Sequence, residues 1–279
     1  MKITLAKSAG FCFGVRRAIT IALNTAAKNS NVRMCGDIVH NEDVIASIEK
    51  AGVRRVRHLR KNPGHCLLIR AHGAASAFIS RARRFGYKII DATCPMVKDI
   101  HKIARRMEKQ GRRIIIIGDK EHDEVKGILG QLKTGGIVIE SRRGISGRLK
   151  SVKKAAVVVQ STQNEEKVNA ILRGISSIVP DLKFFNTVCS PTRLKQTEIR
   201  CLPLLNEAIV VIGSKGSANT RRLFEISKKI NRRTYWVESE KDIRPQWFRA
   251  ISSVGITAGA STPDETTQGV IRFLKGLRA

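Results

Sequence analysis

The run RIIIIG at 113–118 sets four isoleucines side by side. In a strand, successive side chains point to opposite faces, so such a run needs apolar cover on both sides. The pattern returns along the whole chain: KITLAK (2–7), VRMCGDIV (32–39), CLLIRA (66–71), YKII (87–90), GIVIES (136–141), AAVVVQ (155–160), LKFF (182–185), AIVVIG (208–213), TYWVES (234–239) and SVGITA (253–258). Amphipathic stretches such as RRLFEISKKI (221–230) stand between them. Short continuous Val/Ile runs alternating with helical patterns predict mostly parallel sheets layered with helices, an α/β fold. A chain of 279 residues with 42% hydrophobic content can form one large domain or two to three small ones, and is too apolar for disorder.

Polar punctuation repeats along with the strands. His40 lies 28 residues after Cys12, His122 lies 28 after Cys94, and Ser217 lies 28 after Cys189. Each of these cysteines follows a strand and opens a helix; Pro95 and Pro191 suit a first helical turn. Another polar loop closes each stretch: IRAHGAAS (69–76), VVQSTQNEE (158–166) and ITAGASTPDE (256–265). Thr162-x-x-Glu165 and Thr262-Pro263-Asp264-Glu265 have the form of capping boxes, which predicts these threonines at helix N-termini. The chain therefore reads as three similar α/β units, 1–93, 94–188 and 189–279.

If three such units pack about one axis, groups at the C-terminal ends of their strands converge. Cys12, Cys94 and Cys189 sit beside Gly or Pro at strand-to-helix turns, where a helix N-terminus favours the thiolate. Cys35, Cys66 and Cys201 lie in or beside apolar runs and read as packed small hydrophobes. Four soft ligands close a metal site, whereas three leave one position open. Spacing alone leaves two readings standing, a shared metal site and separately packed thiols.

The histidines divide in the same way. His58, His65 and His101 occupy charged or helical contexts that fit surface or packing roles, while His40, His72 and His122 follow strands. With Ser217, Asn219 and Ser261 they make a set suited to cradle a phosphate or diphosphate. No Gly-x-x-x-x-Gly-Lys-Ser/Thr stretch offers a nucleotide loop, so the anion reads as a small molecule. Glu124 is the loop carboxylate expected to point inward, where a nearby anion would raise its pKa as a proton donor requires; a solvated acid is the other reading of KEHDEVK.

Lys and Arg total 52 against 23 Asp and Glu, a net +29 spread as +12, +9 and +8 over the three units. A nucleic-acid backbone, an acidic redox partner, a polyanionic substrate or a merely solvated surface each fits that excess. An aromatic content of 5% and the lack of a recognisable binding motif argue against nucleic acid. No apolar run approaches the roughly 18–20 residues of a membrane span. The opening MKITLAKSAGFC is too short and strand-like for an export signal, so a cytoplasmic setting with reduced cysteines is expected.

In chain order, GFCFGV (10–15), VHNEDV (39–44), AHGAAS (71–76), DATCPMV (91–97), EHDEVKG (121–127), GSKGSAN (213–219) and TAGASTPD (257–264) resemble the motifs of the 4-hydroxy-3-methylbut-2-enyl diphosphate reductases. The resemblance covers nearly the whole chain. It implies three α/β units arranged trefoil-like around a 4Fe–4S cluster held by Cys12, Cys94 and Cys189. It implies further that His40, His72, His122, Ser217, Asn219 and Ser261 hold the diphosphate, with Ala218 at a cradle position where the family has a serine. Glu124 would supply a proton, helped by the hydroxyl of Ser161, where the family has threonine. The implied reaction takes two electrons from a ferredoxin- or flavodoxin-like donor, expels water and yields isopentenyl and dimethylallyl diphosphate, the end of non-mevalonate isoprene biosynthesis.

Other departures from the family pattern are Phe13 in place of a small residue, Asp123 in place of the proline of His-Pro-Glu, the run SPTRLKQ after Cys189, and an earlier chain end. The charge of Asp123 is expected to raise the pKa of Glu124 further. A three-cysteine dehydratase or condensing enzyme of the quinolinate-synthase type, which needs no electron donor, is the alternative enzyme reading. A basic nucleic-acid-binding protein with a structural metal is the alternative from another class.

Overall fold

The computed structural model describes residues 1–277. Its strands form three four-stranded sheets in which every pairing is parallel. One sheet runs β3 (Val53–Val56), β2 (Val32–Cys35), β4 (Cys66–Ile69), β5 (Lys88–Asp91). The next runs β7 (Gly136–Ile139), β6 (Arg113–Ile117), β8 (Lys154–Val159), β9 (Asp181–Phe184). The last runs β11 (Thr234–Val237), β10 (Ala208–Ile212), β12 (Ser253–Ala258), β1 (Lys2–Leu5). All three share one order, second–first–third–fourth, with β1 in the fourth place of the last sheet. Reading in chain order groups β1 with its sequence neighbours, whereas its ladder runs from Lys2↔Ser253 to Leu5↔Ile256.

The helices are α1 (Phe13–Lys28), α2 (Glu42–Lys50), α3 (Ser76–Arg84), α4 (Pro95–Lys109), α5 (Asp123–Leu129), α6 (Ile145–Leu149), α7 (Glu165–Ser176), α8 (Ser190–Cys201), α9 (Ala218–Ile230) and α10 (Asp264–Gly276). The chain divides into two compact units. One gathers Met1–Arg16, His40–Val44 and the chain from Ser190 onward, and holds the last sheet; the other gathers Arg17–Val39 and Ile45–Cys189, and holds the first two.

The four isoleucines of β6 divide between two faces, as the strand period demands. Ile115 and Ile117 pack with Val157, Val159 and the α7 residues Val168, Ile171 and Ile175. Ile114 and Ile116 pack with Ile100, Ala104 and Met107 of α4 and Val125 and Ile128 of α5. In β10, Ala208, Val210 and Ile212 meet α10 through Val270, Ile271 and Leu274, while Ile209 and Val211 meet Ile199, Leu223 and Ile226 of α8 and α9. Each valine, leucine, isoleucine or methionine among them is worth about 1.5–3 kcal/mol when withdrawn from water.

Three local expectations are corrected. The cap of α7 is Asn164, which accepts from Lys167 N, and α10 starts after Pro263 with no side-chain cap. Thr162 and Thr262 are used instead inside the strand-end loops: Thr162 Oγ1 accepts from Gln160 Nε2, and Thr262 Oγ1 donates to Ile212 O. Cys201 is exposed, because it falls on the solvent face of α8 with Ser190, Leu194 and Thr197.

Candidate active site

In a sheet of this order the chain leaves the first and third strands toward opposite sides, which opens a crevice at their C-terminal ends. In the second sheet those strands are β6 and β8, and their loops carry His122 and Ser161. His122 caps α5, its Nδ1 accepting from Glu124 N at 3.1 Å. That bond leaves Nε2 as the proton-bearing nitrogen of the neutral ring, a donor suited to an anion. Glu124 is 1% exposed, so the solvated-acid reading falls. Its Oε1 accepts from Ser161 N at 2.6 Å and its Oε2 from Ser161 Oγ at 2.7 Å. Burial lifts its pKa to about 6, against the opposing pull of the two Ser161 bonds.

Asp123 plays no part in that shift. Its carboxylate pairs with Arg70 Nη1 at 2.5 Å, and the guanidinium cancels the charge that was expected to act on Glu124. The pair ties the loop after β4 to the start of α5. More contacts fasten the same two segments. Gln131 Nε2 donates to Ala74 O at 2.8 Å and Ser76 N to Gly130 O at 3.0 Å. A Cβ on Gly130 would lie 2.2 Å from Ala75 Cβ, which explains glycine there. Held in this way, His72 and His122 meet edge to face with ring centroids 5.4 Å apart. Sequence reasoning missed Arg70, which is one basic residue among many in a chain of +29.

In the other unit β10 and β12 are the corresponding strands, and their loops carry Ser217 and Ser261. Ser217 caps α9 by accepting from Thr220 N at 3.3 Å, which leaves its own proton to donate outward. Asn219 is 4% exposed, and its Nδ2 has no partner among the described residues. An orphaned buried donor costs about 1–3 kcal/mol, and an anionic oxygen at the N-terminus of α9 would satisfy it. Ala218, the first residue of α9, is half-buried and brings only its backbone. Ser261 Oγ donates to His40 O at 3.1 Å, which seats His40 beside this loop.

The cysteines follow the fourth strand of each sheet: Cys94 after β5, Cys189 after β9 and Cys12 after β1. One hydrogen bond recurs at all three. Cys94 N donates to Ala71 O at 2.9 Å, Cys189 N to Ser161 O at 3.0 Å and Cys12 N to Ala260 O at 3.1 Å. Each cysteine is thereby attached to a third-strand loop, the one bearing His72, Ser161 or Ser261. All three are half-buried and directly precede a helix, α4, α8 or α1. Gly10, with φ +87°, lets the chain turn into Cys12; a Cβ there would sit 2.8 Å from Asp264 Oδ1. Phe13 is 61% exposed, so the large side chain next to Cys12 faces solvent instead of filling the site.

Within the two units, then, the strand-end loops carry cysteine thiols, imidazole, hydroxyl and amide groups, and a buried acid whose pKa is about 6. Comparison with known proteins agrees. The family model described as LytB protein matches residues 3–275. The 4-hydroxy-3-methylbut-2-enyl diphosphate reductase of Aquifex aeolicus is 38% identical over 266 residues, covering 94% of this chain and 92% of the relative. That of Geotalea daltonii is 37% identical, covering 99% and 98%. A solved structure of (E)-4-hydroxy-3-methyl-but-2-enyl diphosphate reductase, described as the terminal enzyme of the non-mevalonate pathway, superposes with a TM-score of 0.73 at 36% identity, covering 99% of each chain. The corresponding reductase from Plasmodium falciparum gives 0.93 at 26% identity, covering 99% of this chain and 88% of that one. With motifs, fold and full-length similarity in agreement, the chain belongs to the LytB protein family.

Proposed function

We propose that this chain is a 4-hydroxy-3-methylbut-2-enyl diphosphate reductase that works through a 4Fe–4S cluster. The observation that carries the reading is the thrice-repeated hydrogen bond that attaches a cysteine to the loop bearing His72, Ser161 or Ser261. Three soft thiolate donors at helix N-termini, Cys12, Cys94 and Cys189, fit a cluster with one iron left open. Held by these three residues, such a cluster would supply electrons one at a time and Lewis acidity toward the substrate hydroxyl.

The protein's own groups do the rest. His40, His72, His122, Ser217, Asn219, Ser261 and the backbone at Ala218 hold the diphosphate, which fixes the allylic alcohol in one orientation. Glu124 keeps its proton up to about pH 6 because it is buried. Protonated at Oε2, it donates to Ser161 Oγ across 2.7 Å, and the serine passes its own proton onward. Two electrons and two protons enter, the C–O bond breaks, one water leaves, and the allylic system takes a proton at one end or the other. The basic surface suits an acidic ferredoxin- or flavodoxin-like donor. A reducing cytoplasm would keep the cysteines available, and no helix among the described residues is long and apolar enough to cross a membrane.

Anaerobic purification with iron and sulfide analysis tests the cluster, followed by Mössbauer spectroscopy with and without the hydroxylated diphosphate. About four irons per chain, one of them perturbed by substrate, is the expected result. Zinc, or a folded protein that takes up no iron, overturns the reading.

A further inference from the structure

Lys195 is the bulkiest side chain in the fully buried set, at 2% exposure, and the diphosphate chemistry does not use it. It projects from α8 in the unit that holds the last sheet. Its three ammonium protons go to three backbone carbonyls: Ser8 O, Gly10 O at 3.0 Å and Ala258 O at 3.1 Å. Ser8 and Gly10 lie between β1 and Cys12, and Ala258 ends β12, two residues before the carbonyl that accepts from Cys12 N. One turn along α8, Glu198 takes the complementary groups of the same loop, accepting from Ser8 N at 3.0 Å and from Ser8 Oγ. The two side chains hold both ends of the turn that presents Cys12.

A buried ammonium is expensive, several kcal/mol after relaxation, and carbonyl dipoles offset only part of that cost. Burial lowers the Lys195 pKa to about 8, and the two groups that work against this are Cys12 and Glu198. The cation is thereby bonded to the carbonyl of Gly10, two residues before Cys12. Asp264, the other acid near this turn, pairs with Arg16 at 3.3 Å.

We infer that Lys195 is a positioning residue for the redox centre: it locks the Cys12 turn through three carbonyls and places a fixed positive charge beside the Cys12 ligand. This inference rests on the cluster reading above. A fixed cation favours the form of the centre that carries the extra electron, so it raises the reduction potential. In the run TRLKQ the lysine is one more cation among mostly polar neighbours; its burial is a property of the fold.

The test uses the anaerobically reconstituted full chain with Lys195→Arg, Lys195→Gln and Lys195→Met, after circular dichroism and thermal melting of the unloaded proteins. The Arg variant is expected to keep wild-type iron content, electron paramagnetic resonance signature and midpoint potential. Gln keeps hydrogen-bond donors without the charge, and is expected to load iron but show a more negative midpoint potential. Met is expected to lose at least half the iron as well. A wild-type protein that takes up no iron overturns the site reading itself. If wild type loads and Gln and Met match it in iron, spectrum and potential, the Lys195 inference alone is overturned. Variants that lose the fold before loading, Arg included, make Lys195 a core strut and also overturn it.

Discussion

The most direct handle on the proton donor is Ser161→Ala. Glu124 is pushed to about 6 by burial while two bonds from Ser161 pull the other way. The substitution keeps the backbone N–H at 2.6 Å and removes the hydroxyl at 2.7 Å. A hydrogen bond to a charged group contributes about 1.5–3 kcal/mol, which at ~1.36 kcal/mol per pKa unit is about 1–2 units. The same hydroxyl can also accept from the protonated acid, so the lower end applies and the pKa should move to about 7. Infrared difference spectra of the buried carboxyl between pH 5 and 9 read it directly in the unloaded protein, with Glu124→Gln assigning the band. Stability follows by linkage. The folded chain holds a proton that the unfolded chain releases between pH 4.5 and 6, so this group's contribution is complete below 4.5 and falls by about 2 kcal/mol as pH rises through 6. In Ser161→Ala the loss extends a further unit upward. A pKa that stays at 6 or falls would show that the hydroxyl does not stabilise the carboxylate, and the relay through Ser161 would go with it.

Glu124→Gln should retain iron and bind substrate within about twofold of wild type while turnover drops at least ~100-fold, the usual scale for removing a positioned acid; near-normal turnover would remove Glu124 as donor. His101 titrates with the opposite sign. Burial, seconded by Arg105 and opposed by Asp91, lowers it to about 4, so the unfolded chain binds the extra proton between 4 and 6.5. Stability should fall by about 3 kcal/mol as pH drops through that window, and His101→Gln should flatten this limb in thermal melts across pH. Arg70→Met and Asp123→Asn should each weaken inorganic diphosphate binding by titration calorimetry several-fold. Combined, they should cost no more than either alone, because both break one bridge; additive losses would separate the two residues. Gly130→Ala should destabilise by about 1–3 kcal/mol in denaturant melts, since its Cβ meets the Ala75 backbone as well as its side chain.

What the sequence made legible is what local chemistry dictates. Continuous Val/Ile runs marked the inner strands because both their faces are covered. β3 escaped because VRRV is half arginine, and its edge position leaves those side chains in water. The motif cysteines, histidines and serines were legible as residues following strands, yet what holds them was not. The Arg70–Asp123 bridge spans 53 residues and the Lys195 clamp spans more than 180 on its Ser8 and Gly10 side. No local pattern separates those cations from the solvated ones, so only the fold selects them.

The recurring interval of 28 residues has a topological meaning that chain order disguises. Each interval begins after the fourth strand of one sheet, runs through a linking helix and ends after the first strand of the next: Cys12 through α1 and β2 to His40, Cys94 through α4 and β6 to His122, and Cys189 through α8 and β10 to Ser217. It is therefore the link between sheets, where helix length and strand length are both constrained. The unequal intervals, from His40 to His72, His122 to Thr162 and Ser217 to Ser261, cross the second strand at the sheet edge. There the chain can lengthen at little cost, and it does so with α6 after β7 and with two 3₁₀ turns, Glu240–Asp242 and Pro245–Phe248, after β11. The cysteine that each interval starts from belongs by strand order to the preceding sheet, so Cys12 belongs with β10–β12. That assignment agrees with the shared bond from each Cys N–H to a carbonyl in the loop after the third strand, which joins the ends of neighbouring strands of one sheet.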